Sequence, residues 1–331
     1  MRAFCLILLV ALASANLAPF HKANETIAGK FLIGLKANID VDAISELLKR
    51  TVFSGKRKAN LLKKFKGAFN GFVAKMDDEM VEKSTGDGAG VSVYVIDTGI
   101  NPSHNEFGGR AVAAYDATGG DGIDCNGHGT HCAGTIGGKT YGVATGVDIF
   151  GVRVFGCLGG SPTSTLIDGI NYVYENGNQP GVVSMSLGGG TSTSTDNAVN
   201  ELISKGFAVV VAAGNDNANA CYYSPARVDQ AITVGATDSS DFRSPFSNYG
   251  SCVDIFAPGS FITSAWWSSN TATSTISGTS MATPHVAGVA AVHLSNGYTA
   301  SQVRTKILSD ASSNKISNTN WRSPNKLLFV D

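Results

Sequence analysis

No apolar run in these 331 residues approaches the roughly 20 needed to span a bilayer, which excludes a membrane anchor as the reading of the chain. Net charge is nearly absent, at -1 formally, and the Lys-rich stretch from Lys49 to Lys66 sits in no RNA- or DNA-binding motif, so no nucleic-acid partner is expected. Cysteine is sparse, at 6, and no further Cys or His pair is spaced to close a zinc site. The 39 glycines form no repeat, which excludes a collagen-like chain. They cluster in tight local motifs, as backbone positions where a side chain would not fit.

What is present begins with residues 1–15. Arg2, the apolar run Phe4 to Leu12 and the small residues Ala13, Ser14 and Ala15 read as a secretory signal peptide, predicting a secreted, extracellular protein. Cys5 leaves with that signal. Cys125, Cys132, Cys157, Cys221 and Cys252 remain in an oxidising compartment, an odd set that suits two disulfides and one free thiol, with spacing alone leaving the pairing open. Charge divides the rest. Residues 16–83 carry 13 Lys and Arg against 8 Asp and Glu, whereas residues 84–331 carry 11 against 18. Opposite signs favour docking of the first segment on the second.

Within 16–83, residues 28–36 and 68–74 read as strands and Asp40 to Lys49 as a short amphipathic helix, a small α+β unit with a sequon at Asn24. From Val91 onward the runs VSVYVI, DIFGVRVF, VVSMSL, FAVVVAAG and AITVGA alternate with helical candidates at Thr165 to Glu175 and Asp196 to Lys205. That alternation predicts an α/β domain with a parallel sheet flanked by helices, its strands buried on both faces. In such sheets chemistry gathers at the carboxyl ends of the strands.

Three candidate residues fall there. Asp97 closes the strand VYVI at the turn DTGI. His128 lies between two glycines in NGHGTHCAGT, where small neighbours would let a substrate backbone reach the imidazole; a metal site built from His128, His131 and Cys132 is the rival reading. Ser280, in SGTSMATPHVAG, opens a helical run whose free N–H groups would face an oxyanion, and Pro284 requires that helix to begin close by. A serine is a weak nucleophile without a base, and an imidazole needs a carboxylate to orient it.

The motifs VIDTG, NGHGTHCAGT, SMSLGGG, AAGNDNA and SGTSMATPHVAG, in this order, make residues 88–331 resemble the subtilases of the proteinase K and aqualysin branch. Residues 25–82 resemble the inhibitory propeptide of that family. The resemblance implies a subtilisin-like fold and a peptidase hydrolysing proteins or peptides with Asp97, His128 and Ser280 as its triad. It places the oxyanion hole at Asn215 and the Ser280 N–H. It gives substrate-binding roles to Gly159, Gly160 and Ser161 on one side and to Ser186, Leu187 and Gly188 on the other. Ala212, Ala213 and Gly214 complete a pocket for an aromatic or aliphatic side chain. It pairs Cys125 with Cys157 and Cys221 with Cys252, leaving Cys132 free. It also implies a structural calcium ion on Asp254 with the carbonyls of Asp229 and Ala231, no organic cofactor, the chain's own propeptide as an intramolecular inhibitor, and a monomer. The expected layout is a signal at 1–15, a propeptide at 16–83 and a catalytic domain at 84–331. Between Lys83 and Ser84 the family's connecting stretch is missing, and the alternative this raises is an inactive homologue that binds peptides or regulates a sister protease.

Overall fold

In this computed structural model the described residues are 86–329, together with the backbone of three earlier strands. The chain divides into two compact units, residues 1–86 and 87–331. In the first, β1 (Lys30–Gly34), β2 (Asn60–Phe65) and β3 (Gly71–Lys75) form an antiparallel sheet in the order β1-β3-β2. β1 falls within residues 28–36 and β3 overlaps residues 68–74, running one residue beyond, while β2 occupies part of the Lys-rich stretch. The helix expected at Asp40 to Lys49 lies outside the described residues.

The second unit runs β4 (Ser92–Asp97), β5 (Ala111–Asp116), α1 (His128–Gly137), β6 (Asp148–Arg153), α2 (Thr163–Asn176), β7 (Gly181–Met185), β8 (Gly189–Gly190), α3 (Thr193–Ser204), β9 (Ala208–Ala212), β10 (Tyr223–Ser224), β11 (Ile232–Thr237), β12 (Ile255–Pro258), β13 (Ile262–Ala265), β14 (Thr273–Ile276), α4 (Thr279–Ser295), α5 (Ala300–Asp310), β15 (Ser312–Ser313) and β16 (Lys326–Leu327). A nine-stranded sheet in the order β15-β16-β12-β11-β9-β7-β4-β6-β5 carries the domain, and every pair in it except β15 with β16 is parallel.

Alternation along the strands explains the two layers. Val93 and Val95 of β4, Val182 of β7 and Val210 of β9 pack with α1, α4 and α5 through residues such as Ile136, Val286 and Ile307. Their neighbours Tyr94, Ile96, Val183, Val209 and Val211 pack on the opposite face against Ile170 of α2 and Leu202 of α3. Side chains two apart share a face, so a run apolar at every position is a strand covered twice. The five long runs read from the sequence are all central strands. β5, at the edge, is mostly half-buried and carries a bulge between Ala113 and Tyr115, so it lacks that signature.

Candidate active site

Asp97 is the last residue of β4, fully buried at the carboxyl edge of the sheet. One carboxylate oxygen, Oδ1, accepts from the Thr98 N–H at 2.8 Å and lies 2.7 Å from Nδ1 of His128, which opens α1. The helix is fixed there by a second buried carboxylate. Asp124 accepts from Thr98 Oγ1 and from the N–H groups of Asn126 and Gly127 through Oδ1, and from the N–H and hydroxyl of Thr130 through Oδ2. Thr98 Oγ1 in turn accepts from the Gly129 N–H at 2.9 Å. Asp97 and His128 are thus locked in one hydrogen-bonded frame.

The glycines around His128 have another reason than substrate approach. Gly127 has φ 114°, and a β-carbon there would stand 2.4 Å from the Trp266 ring; one on Gly129 would stand 2.2 Å from the Gly99 carbonyl. Their absent side chains let α1 settle against the DTG turn and the β13–β14 hairpin. The His128–His131–Cys132 metal reading also fails. His131 Nε2 turns to the Ile262 carbonyl at 3.0 Å, and burial brings this imidazole down to about 4. The cluster that does form among the described residues is Asp97, His128 and Cys132. Burial raises the Cys132 thiol, so it is protonated at neutral pH and a poor metal ligand. Its sulfur sits 4.0 Å from His128 Nδ1 and 3.5 Å from the Ser280 carbonyl, a buried filler between the two.

Burial alone would push His128 down, but Asp97, by charge and hydrogen bond, outweighs it and holds the imidazole well above its ordinary 6.5. Of its two neighbours, Asp97 is the anion that counts, since Cys132 is neutral.

Ser280 is the second residue of α4. Pro284 has no N–H to give the carbonyl four residues back, which is that of Ser280. Ser186 Oγ donates to this carbonyl instead at 2.9 Å, and Ser280 Oγ donates to the Ser186 carbonyl at 3.2 Å. The resting partner of the nucleophile candidate is therefore Ser186 rather than the imidazole. Thr279 controls Asn215: its N–H and hydroxyl both donate to Asn215 Oδ1, at 2.8 and 3.0 Å, which turns the Asn215 NH₂ the other way. A β-carbon placed on Gly278 would lie 3.6 Å from the Ser280 nitrogen and 3.8 Å from Asn215 Nδ2, so both nitrogens lie beside Gly278.

A cleft of about 260 Å³ opens beside them, walled by Leu187, Gly188, Ala212, Ala213, Gly214, Asn215 and Thr279. Tyr223 lines it as well, whereas Tyr222 is exposed. Asp216 adds a carboxylate to a wall expected to be apolar. Gly159, Gly160 and Ser161 are not part of this wall. They lie in the loop after β6, the two glycines exposed at φ 78° and 76°. The Cys125–Cys157 disulfide and a bond from Asn126 Nδ2 to the Cys157 carbonyl join that loop to the His128 loop. Cys221 pairs with Cys252, as the resemblance implied. A larger cleft of about 780 Å³, lined by Phe207, Tyr298 and Arg304, contains no histidine or cysteine.

Of the expected calcium donors, the Asp254 carboxylate is already engaged. Asp254 Oδ2 accepts from the Thr233 N–H at 2.9 Å, and Oδ1 is 2.5 Å from the guanidinium of Arg304. The carboxylate already has its counter-charge, and a dication would meet Arg304 head on.

The fold, with a buried carboxylate on an imidazole and a serine opening a helix, defines a subtilisin-like α/β protein. A solved cold-adapted subtilisin-like serine proteinase superimposes with a TM-score of 0.71 at 57% identity, covering 73% of this chain and 89% of that one. The family model for the subtilase family matches residues 88–324, and the chain belongs to that family. It is 58% identical over 250 residues to an extracellular serine proteinase of Thermus sp. (strain Rt41A), a match covering 74% of this chain and 61% of that protein. It is 39% identical to alkaline protease 1 of Aspergillus clavatus, covering 98% of this chain and 97% of the relative. The latter alignment runs over 394 positions, so the relative carries residues that this 331-residue chain lacks.

Sequence reasoning missed Asp124, Thr279 and Asn248. Asp124 stands three residues before Gly127, and an aspartate just ahead of a helix start was the available signal.

Proposed function

We propose that the chain is a secreted serine endopeptidase that cleaves peptide bonds through an acyl-enzyme. The observation that carries this reading is the buried Asp97 held 2.7 Å from His128 Nδ1, which directs the other ring nitrogen away from the carboxylate. Neutral His128 takes the Ser280 proton as Oγ attacks the scissile carbonyl. Asp97 stabilises the resulting imidazolium, and Asn215 Nδ2 with the Ser280 N–H receives the oxyanion. Collapse of the tetrahedral intermediate breaks the C–N bond, and His128 returns the proton to the departing amine. Water, activated by the same imidazole, then frees the acid and restores Ser280.

A substrate added as an extended strand between Gly159 to Ser161 and Ser186 to Gly188 would be read chiefly through its backbone. Its N–H groups would compete for the Ser186 carbonyl, releasing the Ser280 hydroxyl to turn toward His128. An apolar side chain before the scissile bond suits the cleft between Leu187 and Ala213. The names of the relatives, extracellular serine proteinase and alkaline protease, support export and a neutral imidazole at working pH. Residues 16–83 would serve as the intramolecular inhibitor and 1–15 as the export signal.

A fluorophosphonate probe will label the purified protein at Ser280, and Ser280→Ala will abolish labelling and casein cleavage together. A folded wild-type protein that is not labelled would instead favour the inactive, peptide-binding homologue.

A further inference from the structure

We infer that Asn248 is a positioning residue for catalysis, setting the place of Asn215 while touching neither substrate nor Ser280; the inference rests on the serine-peptidase reading above. Asn248 is fully buried and does not line the cleft. Its side chain nonetheless makes three hydrogen bonds, all to the segment that carries Asn215. Oδ1 accepts from the N–H groups of Asp216 at 3.0 Å and Ala218 at 2.9 Å, and Nδ2 donates to the Ala213 carbonyl at 2.8 Å. Two donors on one side and a carbonyl on the other admit a single orientation of the amide. The Asn248 N–H adds a bond to the Gly214 carbonyl at 2.9 Å.

The segment Ala213 to Ala218 is thus wrapped around one side chain, with Asn215 at its outer turn. The wrapping dictates the sequence of the loop. Gly214 has φ 101°, and a β-carbon there would stand 2.3 Å from Asn248 Nδ2, so only glycine lets the loop close on the amide. Asn217, at φ 49°, takes a left-handed turn that asparagine tolerates, and its Oδ1 accepts from Arg243 at 2.9 Å. The same guanidinium bonds the carbonyl of Ser247, the residue before Asn248. Arg243 therefore fastens the template to the loop it shapes.

Asn215 is held at its side chain by Thr279 and at its backbone by this template. Loss of Asn248 would leave two N–H groups and one carbonyl without their partners and let the Asn215 backbone drift while Ser280 stayed in α4. An oxyanion donor works only where the charge develops, so the cost falls on the transition state rather than on substrate binding.

The test is a double-mutant cycle of Asn248→Ala with Asn215→Ala, reading kcat and KM on a chromogenic peptide amide. In the Asn215 background, Asn248→Ala should lower kcat by about tenfold to a hundredfold, less than the ~10²–10³ of a whole lost donor, and leave KM within about twofold. In the Asn215→Ala background it should change kcat by less than about twofold, because nothing remains to be positioned. Asn248→Asp, isosteric and able to accept from both N–H groups while losing the bond to Ala213, should show a smaller loss that also vanishes with Asn215→Ala. An equal fold-loss in both backgrounds, or an unchanged kcat in the first, overturns the inference. So does an Asn215→Ala variant of full activity, which removes the donor itself, while retained activity in Ser280→Ala would instead overturn the peptidase reading.

Discussion

The two edges of the proposed active site are held in opposite ways. At the Asp97 and His128 edge the fasteners are aspartates: Asp97 binds the imidazole, and Asp124 gathers five donors from Thr98, Asn126, Gly127 and Thr130. At the Asn215 edge they are neutral amides and hydroxyls, from Asn248 and Thr279. The difference follows from the charge each edge must meet. In the proposed mechanism a proton arrives on His128 during attack, so a fixed anion would lower the energy of that state. In the same mechanism a negative oxygen forms near Asn215, where aligned N–H dipoles would stabilise it without a full positive charge that would bind anions at rest.

The contrast can be broken at the charged edge first. Asp97→Asn should lower kcat by about 10⁴, the scale on which the orienting carboxylate of a serine triad acts, whereas loss of the Asn215 amide should cost about 10²–10³. A loss at Asp97 no greater than at Asn215 would remove the distinction, and steady-state kinetics on the same substrate decides it.

A carboxylate away from the site sharpens the comparison with the smallest effect. Asp254 is satisfied by Arg304 and Thr233, so chelation should leave the melting temperature unchanged. Arg304→Ala should lower it by about 2–4 °C, as befits a part-exposed ion pair in a domain of this size. A fall on chelation in the wild type, followed by differential scanning calorimetry, would restore a cation at Asp254.

Sequence legibility followed the locality of the cause. The five central strands were readable because two-sided burial leaves continuous apolar runs, as in Val209, Val210 and Val211. Pro284 announced the start of α4, since the ring tolerates only the first turns. Asp97, His128 and Ser280 each stood in a motif. The disulfide partners came through the family resemblance and not through spacing. What stayed hidden depends on contacts between distant loops. Asn248 lies 30 residues from Ala218, and nothing near it in the sequence signals that its amide fits that loop. The Arg304–Asp254 ion pair was equally opaque, because it joins α5 to the residue before β12 across 50 residues. The edge strand β5 and the two-residue β16 have too little burial to show a pattern.

Asp97 also gives the site a sign in pH. A raised His128 pKa means that the neutral base is lost as pH falls through that value, so kcat/KM should drop tenfold per unit below it. Stability behaves in reverse: the His128–Asp97 pair contributes fully below the unfolded histidine's pKa, and the contribution is lost as pH rises through the folded one. The most direct measurement is an NMR titration of the His128 ring in Ser280→Ala protein, where self-digestion is absent, with and without Asp97→Asn. The midpoint should lie well above 6.5 and fall when Asp97 is neutralised; a midpoint at or below 6.5, unmoved by the substitution, would contradict the charged relay on which the account depends.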